Sequence, residues 1–181
     1  MRTFMDWKSL VKSSMAMMKE SGPGERNPIL LKRILVPIDF SEFSKNALRY
    51  AVPFAKQFEA ELLLVYVVEP TIYPSDFAFG PVTVPNLERE LRERAAAELE
   101  RLVKTYIKGA VPVKTMIRTG KPSVEIIRWA KEETVDLIII ATHGHSGVEH
   151  VLFGSTTEKV VRKSPCPVLT VRHPEHSFVM P

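Results

Sequence analysis

Two stretches of this 181-residue chain combine residue types that hold small polar ligands. The first is Asp39, which follows the apolar run Val36-Pro37-Ile38 and precedes Ser41. Its carboxylate could accept a hydrogen bond from a ribose hydroxyl or an adenine amine, or help to hold a metal ion. An Asp in this position can also simply shape the turn before a helix. The carboxylate therefore needs a second group nearby before it indicates a site.

The second stretch is rich in glycine and hydroxyl side chains. It reads Ala141-Thr-His-Gly144-His-Ser-Gly147, and Gly154-Ser155 follow, so that nine residues separate Gly144 from Gly154. Glycine lets the backbone approach a ligand closely, and the N-terminus of a helix attracts phosphate through its unpaired N–H groups. Residues 155–158 also match the capping box S-x-x-E, which predicts that Ser155 is the N-cap of a helix.

Metal and thiol chemistry are the weaker alternatives. His143, His145 and His150 lie in a glycine loop without a cysteine or a paired carboxylate, which is a poor ligand set for a transition metal. His145 could instead contact a phosphate, and Mg²⁺ would be held by phosphates rather than by the protein. The single cysteine, Cys166, lies between two prolines, and we expect it to be a small buried residue.

These residues must be positioned by alternating strands and helices. Continuous apolar or alternating runs predict five strands, at Ile34–Ile38, Leu62–Val68, Val111–Ile117, Asp136–Ala141 and Pro167–Val171. Helical patterns lie between most of them, and right-handed crossovers then give an α/β fold with a doubly wound parallel sheet. In such sheets ligands bind at the carboxyl ends of the strands, where the strand order reverses. Asp39 and residues 141–155 follow the first and fourth strands.

Composition and charge limit the partners. The net charge is +4 and the pI is about 9.2, which permits anionic ligands but is too mild and dispersed to predict a nucleic-acid groove. No apolar run approaches the ~20 residues that span a bilayer, and one cysteine cannot form an intrachain disulfide. We therefore expect a cytoplasmic protein whose partner is a small molecule.

The chain divides into three segments. Residues 1–28 place Phe4, Trp7, Val11 and Met15 at helical spacing before a turn-rich linker, which predicts an N-terminal amphipathic helix. Residues 29–173 form the main domain, and 174–181 a C-terminal tail. We expect the helix to dock on protein, either within a dimer or on a partner; docking on a membrane surface and disorder are the alternatives.

The spacing Ala-Thr-His-Gly-(nine residues)-Gly-Ser resembles the nucleotide motif G-x-x-G-x9-G-[ST] of the universal stress protein family. Val36-Pro-Ile-Asp39-Phe-Ser41 and Ser164-Pro-Cys-Pro-Val168 add to the resemblance, which covers about residues 31–172. The family fold implies five parallel strands in the order 3-2-1-4-5 with helices on both faces. It also implies a homodimer formed through the last strand, residues 168–171.

The resemblance further implies that ATP, ADP or AMP, with or without Mg²⁺, is held between the ends of the first and fourth strands. Asp39 would face the adenosine, and the glycine loop and the following helix would bind phosphates. The residues expected at the site are Pro37, Asp39, Leu62, Ala141, His143, Gly144, His145, Gly154, Ser155 and Thr156. Ala141 replaces the first glycine of the motif, which is harmless only if its φ stays negative and the ligand backbone is not pressed against its methyl group.

Three functions compete at this point. The first, which we favour, is a nucleotide-binding regulatory module in the stress response that acts through an unidentified protein partner. The second is a slow ATPase or phosphotransferase, which is disfavoured because no Lys or Arg lies between Ala141 and Glu158 to act on a γ-phosphate. The third is a dimeric interaction module that binds no nucleotide.

Overall fold

A parallel five-stranded sheet forms the centre of the computed structural model, which describes residues 30–69, 85–144 and 153–172. The strand order is β3-β2-β1-β4-β5, and every adjacent pair is parallel. This architecture confirms the predicted α/β fold and strand order. The strands are β1 Arg33–Pro37, β2 Glu61–Val68, β3 Val113–Thr119, β4 Leu137–Ala141 and β5 Val168–Val171.

The three central strands are buried because helices cover both faces of the sheet. All five residues of β4 are buried, and β2 contains the fully buried run Leu62–Leu64. Continuous apolar sequence is typical of parallel strands covered on both sides. The edge strand β3 is mostly half-buried or exposed, and its sequence alternates accordingly.

Within the described residues, two helices cover each face of the sheet. They are α1 Glu42–Phe58, α2 Pro85–Leu102, α3 Pro122–Glu132 and α4 Ser155–Lys163, and a π-helical turn at Val103–Ile107 extends α2. Leu48 of α1 and Leu99 of α2 belong to one apolar cluster, whereas Trp129 of α3 and Val160 of α4 belong to the cluster on the opposite face. The sheet is therefore doubly wound, as predicted.

Residues 1–29, 70–84, 145–152 and 173–181 lie outside the described residues. The predictions of an N-terminal amphipathic helix, of a tail at 174–181 and of a ligand contact by His145 fall on them and stay predictions. Within the described ranges no helix is both long enough and apolar enough to cross a membrane.

Candidate functional site

The carboxyl ends of β1, β2 and β4 and the start of α4 enclose a cavity of about 510 Å³. A volume in this range suits a small organic ligand. Among the residues expected at the site, those that line this cavity are Pro37, Asp39, Ala141, His143, Gly144, Gly154, Ser155 and Thr156. The fold thus brings together two segments that lie about a hundred residues apart in sequence.

Asp39 is held by the turn that joins β1 to α1. Its Oδ1 accepts hydrogen bonds from the Ser41 backbone N–H at 3.0 Å and from the Ser41 hydroxyl at 2.5 Å. Ser41 is the N-cap of α1, as the helical pattern implies, and its hydroxyl oxygen accepts from the Ser44 N–H at 3.2 Å. The carboxylate is consequently tied to the helix start, and its orientation follows from that of α1.

Phe40 stores backbone strain beside this carboxylate. Its φ is +64°, a left-handed conformation that costs a non-glycine residue roughly 1–2 kcal/mol. The Phe40 ring packs against Tyr66 of β2 with ring centroids 4.7 Å apart, and this contact offsets part of the cost. Tyr66 also lines the cavity. The Phe40–Tyr66 contact therefore connects the strained turn to the cavity wall.

Gly144 has no room for a side chain. A Cβ built on it would lie 2.5 Å from Asp39 Oδ2, far inside the ~3.5 Å of normal contact. The glycine therefore lets the loop after β4 close onto the Asp39 carboxylate. The expectation that Gly144 lets the backbone approach a ligand stays a prediction, because the close neighbour that the structure gives it is the Asp39 side chain.

Ala141, which stands where the family motif has its first glycine, is an ordinary strand residue. It ends β4 in register with Val171 and is 5% exposed. Ala141 is not among the described non-glycine residues that have a positive φ. Its carbonyl accepts a hydrogen bond from the Thr157 hydroxyl at 2.8 Å. The backbone at Ala141 thus carries the methyl group without a positive φ, and that the methyl group leaves room for the ligand stays a prediction.

The start of α4 differs from the predicted capping box. Gly154, not Ser155, is the N-cap, and no side chain caps the helix. Ser155 is already the first helical residue, and Glu158 pairs instead with Arg162 at 3.1 Å. The helix begins where it does because Gly154 N–H donates to the Thr142 carbonyl at 2.8 Å and Thr157 is bonded to β4. Thr157 lines the cavity and was missed in the sequence, which marks it only as a polar residue in a first helical turn.

The Leu62 prediction was wrong in placement. Leu62 is 0% exposed, pairs with Ile34 near the start of β2 and does not line the cavity. Residues 65–69 at the carboxyl end of the same strand line it instead. Val65, Val67 and Val68 give this end of the cavity an apolar wall, and Glu69 adds a carboxylate.

His143 stands at the exit of β4 with its ring held on two sides. Its Nδ1 lies 3.1 Å from the Thr142 hydroxyl, and its ring centroid lies 6.1 Å from that of Phe43. Within the described ranges, no three His, Cys, Asp or Glu side chains come together as a metal-ligand set.

Cys166 is half-buried and packs against the α3–α4 side of the sheet. Burial raises the pKa of its thiol, which keeps it protonated and a poor nucleophile near neutral pH. The prediction of a small buried residue is met only in part, because Cys166 is half-buried.

Known proteins of one family share the sequence pattern and the fold of this chain. The profile of the universal stress protein family matches residues 31–172. Universal stress protein MJ0531 of Methanocaldococcus jannaschii is 33% identical over 146 residues, which cover 81% of this chain and 85% of that protein. The solved structure of MJ0577, from the same organism, is 33% identical with a TM-score of 0.70 and covers 81% of this chain and 99% of that one.

Two more distant structures share the fold. A universal stress protein from Archaeoglobus fulgidus in complex with dAMP is 19% identical with a TM-score of 0.55, over 78% of this chain and 98% of that one. A universal stress protein in complex with cAMP is 20% identical with the same TM-score, over 79% of this chain and 98% of that one.

Proposed function

The chain belongs to the universal stress protein family, and from this premise we propose that it is a regulatory module that binds an adenine nucleotide. The observation that carries the proposal is that Asp39, Gly144 and the uncapped start of α4 line one cavity of about 510 Å³. Nucleotides in complexes of more distant proteins with this fold, dAMP and cAMP, share the adenine base and a phosphate.

Each part of the cavity suits one part of such a ligand. The Asp39 carboxylate can accept hydrogen bonds from ribose hydroxyls or the adenine amine. Val65 and Val67 belong to the apolar wall, against which a purine ring can pack. The first turn of α4 offers backbone N–H groups and a partial positive charge to phosphate, and Ser155 adds a hydroxyl donor.

ATP, ADP and AMP are all candidates, and any Mg²⁺ would be bound by the phosphates. The described residues supply no set of three metal ligands, and hydrated Mg²⁺ commonly reaches proteins through phosphate oxygens. Slow ATP hydrolysis stays an alternative, but we assign no residue of this chain to catalyse it.

We also propose that a second copy of the chain pairs with β5. The carbonyls of Pro167 and Val171 accept hydrogen bonds from the N–H groups of Ile138 and Thr142 on the β4 side. Because strand residues alternate in direction, Val168 and Thr170 present their N–H and C=O groups at the outer edge. An open edge of this kind invites strand pairing. A protein partner that senses the bound state and a cytoplasmic location complete the proposal.

The experiment that tests nucleotide binding begins with the purified protein. It is denatured, and released small molecules are identified by mass spectrometry; the stripped protein is then titrated with AMP and with ATP plus Mg²⁺ by calorimetry. We expect an adenine nucleotide to be released or to bind with measurable heat. If neither happens and millimolar nucleotide causes no thermal shift, the chain is better explained as a dimeric interaction module.

A further inference from the structure

Three aromatic side chains form a stripe along the surface of α1. Tyr50, Phe54 and Phe58 follow one another at intervals of four residues, and residues at that spacing share one face of a helix. Tyr50 is 52% exposed, Phe58 is 37% exposed and Phe54 is half-buried. The rings of Phe54 and Phe58 stack with their centroids 6.3 Å apart. These three residues are called the α1 stripe below.

The α1 stripe lies on the side of α1 that faces the edge strand β5. Asn46 precedes Tyr50 by one helical turn, and its side-chain amide donates to the carbonyl of Arg172, directly after β5, at 3.1 Å. Leu169 of β5 is half-buried and packs on the same apolar cluster as Phe54. The described residues thus leave apolar surface exposed along this side of α1.

The described chain begins close to one end of the α1 stripe. The Lys32 carbonyl accepts a hydrogen bond from the Glu61 N–H at 2.8 Å, and Phe58 lies only three residues before Glu61. Leu30, the first described residue, is 71% exposed. Residues 1–29 are therefore attached to the domain near the Phe58 end of the stripe.

The preceding segment has an apolar face of similar length. The predicted helix over residues 4–19 presents Phe4, Trp7, Val11 and Met15 on that face. The distance along a helix from the first to the last of these residues is about 16 Å, and the α1 stripe spans about 12 Å by the same rise per residue. A flexible linker over residues 20–29 has an r.m.s. length of roughly 17 Å, which is enough to bring the two faces together.

From this placement we propose that residues 4–19 dock as a helix on the α1 stripe of the same chain. A short flexible tether gives the segment an effective concentration of about millimolar at the stripe, which favours it over a second copy or a separate protein as the occupant. The family profile begins at residue 31, so the docked segment lies outside the part of the chain that the family shares. The inference does not depend on nucleotide binding.

The two tryptophans of the chain, Trp7 and Trp129, allow a direct test by acrylamide quenching of fluorescence. Trp129 is 1% exposed and is shielded from the quencher. The difference between the full-length chain and its Trp7→Phe variant therefore gives the accessibility of Trp7. We expect Trp7 to be quenched at least about twofold less than in a synthetic peptide of residues 1–28, because docking removes the indole ring from solvent.

Dilution separates docking within one chain from docking between chains. We expect the quenching of Trp7 to stay constant from micromolar to nanomolar protein, since a tethered contact does not depend on concentration. Quenching that rises on dilution would show that the segment docks on a second copy and would overturn the proposal. So would a Trp7 that is as accessible as in the peptide until anionic liposomes are added, which would assign the segment to a membrane surface.

A pair of variants locates the docking surface. Tyr50→Ser combined with Phe58→Ser removes the two exposed rings of the α1 stripe, whereas Val124→Ser removes a 45% exposed apolar side chain from α3 on the opposite face. We expect the double variant to raise the quenching of Trp7 about twofold, to the level of the peptide, because aromatic anchors carry most of such a contact. Val124→Ser should leave it unchanged, and equal effects from the two would contradict the proposal.

The fluorescence of Trp129 in the Trp7→Phe background shows whether each variant keeps its fold. If the double variant unfolds, the single change Tyr50→Ser, at the most exposed position of the stripe, replaces it. We expect this single variant to raise the quenching of Trp7 by a smaller factor than the double variant. No increase over the unmodified chain in a folded Tyr50→Ser variant would overturn the proposal.

Discussion

Gly144→Ala tests whether the contact between the glycine loop and Asp39 organises the site. The new Cβ would lie 2.5 Å from Asp39 Oδ2, about 1 Å inside normal contact. Asp39 cannot rotate away freely, since its other oxygen holds both the N–H and the hydroxyl of Ser41. To relieve the clash, either those hydrogen bonds must break or the backbone at residue 144 must move.

The magnitudes follow from that geometry. We expect Gly144→Ala to lower the free energy of unfolding by about 1–3 kcal/mol, the usual cost of overpacking. A displaced Asp39 would also lose a charged hydrogen bond to the ligand, worth about 1.5–3 kcal/mol, so nucleotide affinity should fall roughly tenfold to a hundredfold. Chemical denaturation and calorimetry measure the two effects separately.

Gly154→Ala is the matched control. Its φ is −61°, and a Cβ there would lie 3.5 Å from the Thr142 carbonyl oxygen, an ordinary contact. Alanine is a poorer N-cap than glycine but reduces the freedom of the unfolded chain, so we expect the unfolding free energy to change by less than about 1 kcal/mol. If Gly144→Ala were as well tolerated as Gly154→Ala, the inferred constraint would be refuted.

A double-mutant cycle gives the sharper form of the same test. In an Asp39→Ala background the carboxylate is gone, and Gly144→Ala should then cost less than about 0.5 kcal/mol in stability. Additive effects of the two substitutions would mean that Gly144 is constrained by something other than Asp39.

Further predictions concern other parts of the chain. Ser155→Ala should weaken nucleotide binding about tenfold or more in calorimetry. It should lower the free energy of unfolding by less than about 0.5 kcal/mol, since Gly154 is the N-cap; a loss of about 1 kcal/mol, typical of a removed N-cap side chain, would contradict this. Thr170→Pro should give monomers by light scattering without unfolding, because its N–H lies at the outer edge; a wild-type mass of 20.5 kDa at micromolar concentration would rule out the dimer. Deletion of residues 1–28 should change association without unfolding residues 30–172, whereas co-sedimentation of only the full chain with liposomes would favour the membrane alternative. A hydrogen bond from Lys114 lowers the pKa of Glu133. The pair therefore stabilises the fold above the ordinary pKa of 4.5, and this stabilisation is lost as the pH falls through the lowered pKa. Glu133→Gln should make the free energy of unfolding depend less on pH in this acid range; an unchanged pH dependence would argue against the pair.

The sheet and the position of the site could be predicted from sequence because burial leaves a direct pattern. Strands covered on both faces must be apolar throughout, as β4 is at Leu137–Ala141. Once parallel strands are identified, the residues that follow β1 and β4 must meet at one edge. Asp39, Gly144 and Gly154 line the same cavity for that reason.

The details that the sequence did not predict depend on tertiary contacts. The S-x-x-E pattern at Ser155 is a valid cap, but hydrogen bonds from Gly154 and Thr157 to the end of β4 decide where α4 begins. Leu62 is a different case, since the eight residues of β2 span roughly 26 Å. A residue at its start cannot reach the ligand end, and the strand boundaries already contained this information.

The most direct test of nucleotide binding at this site is a crystal structure of the stripped protein soaked or grown with AMP. We predict that adenosine lies between the ends of β1 and β4, with Asp39 within hydrogen-bond distance of the ribose or adenine. The phosphate should lie on the backbone N–H groups of Ser155, Thr156 and Thr157. AMP bound elsewhere, or a cavity that stays free of AMP at millimolar concentration, would contradict the assignment of this site.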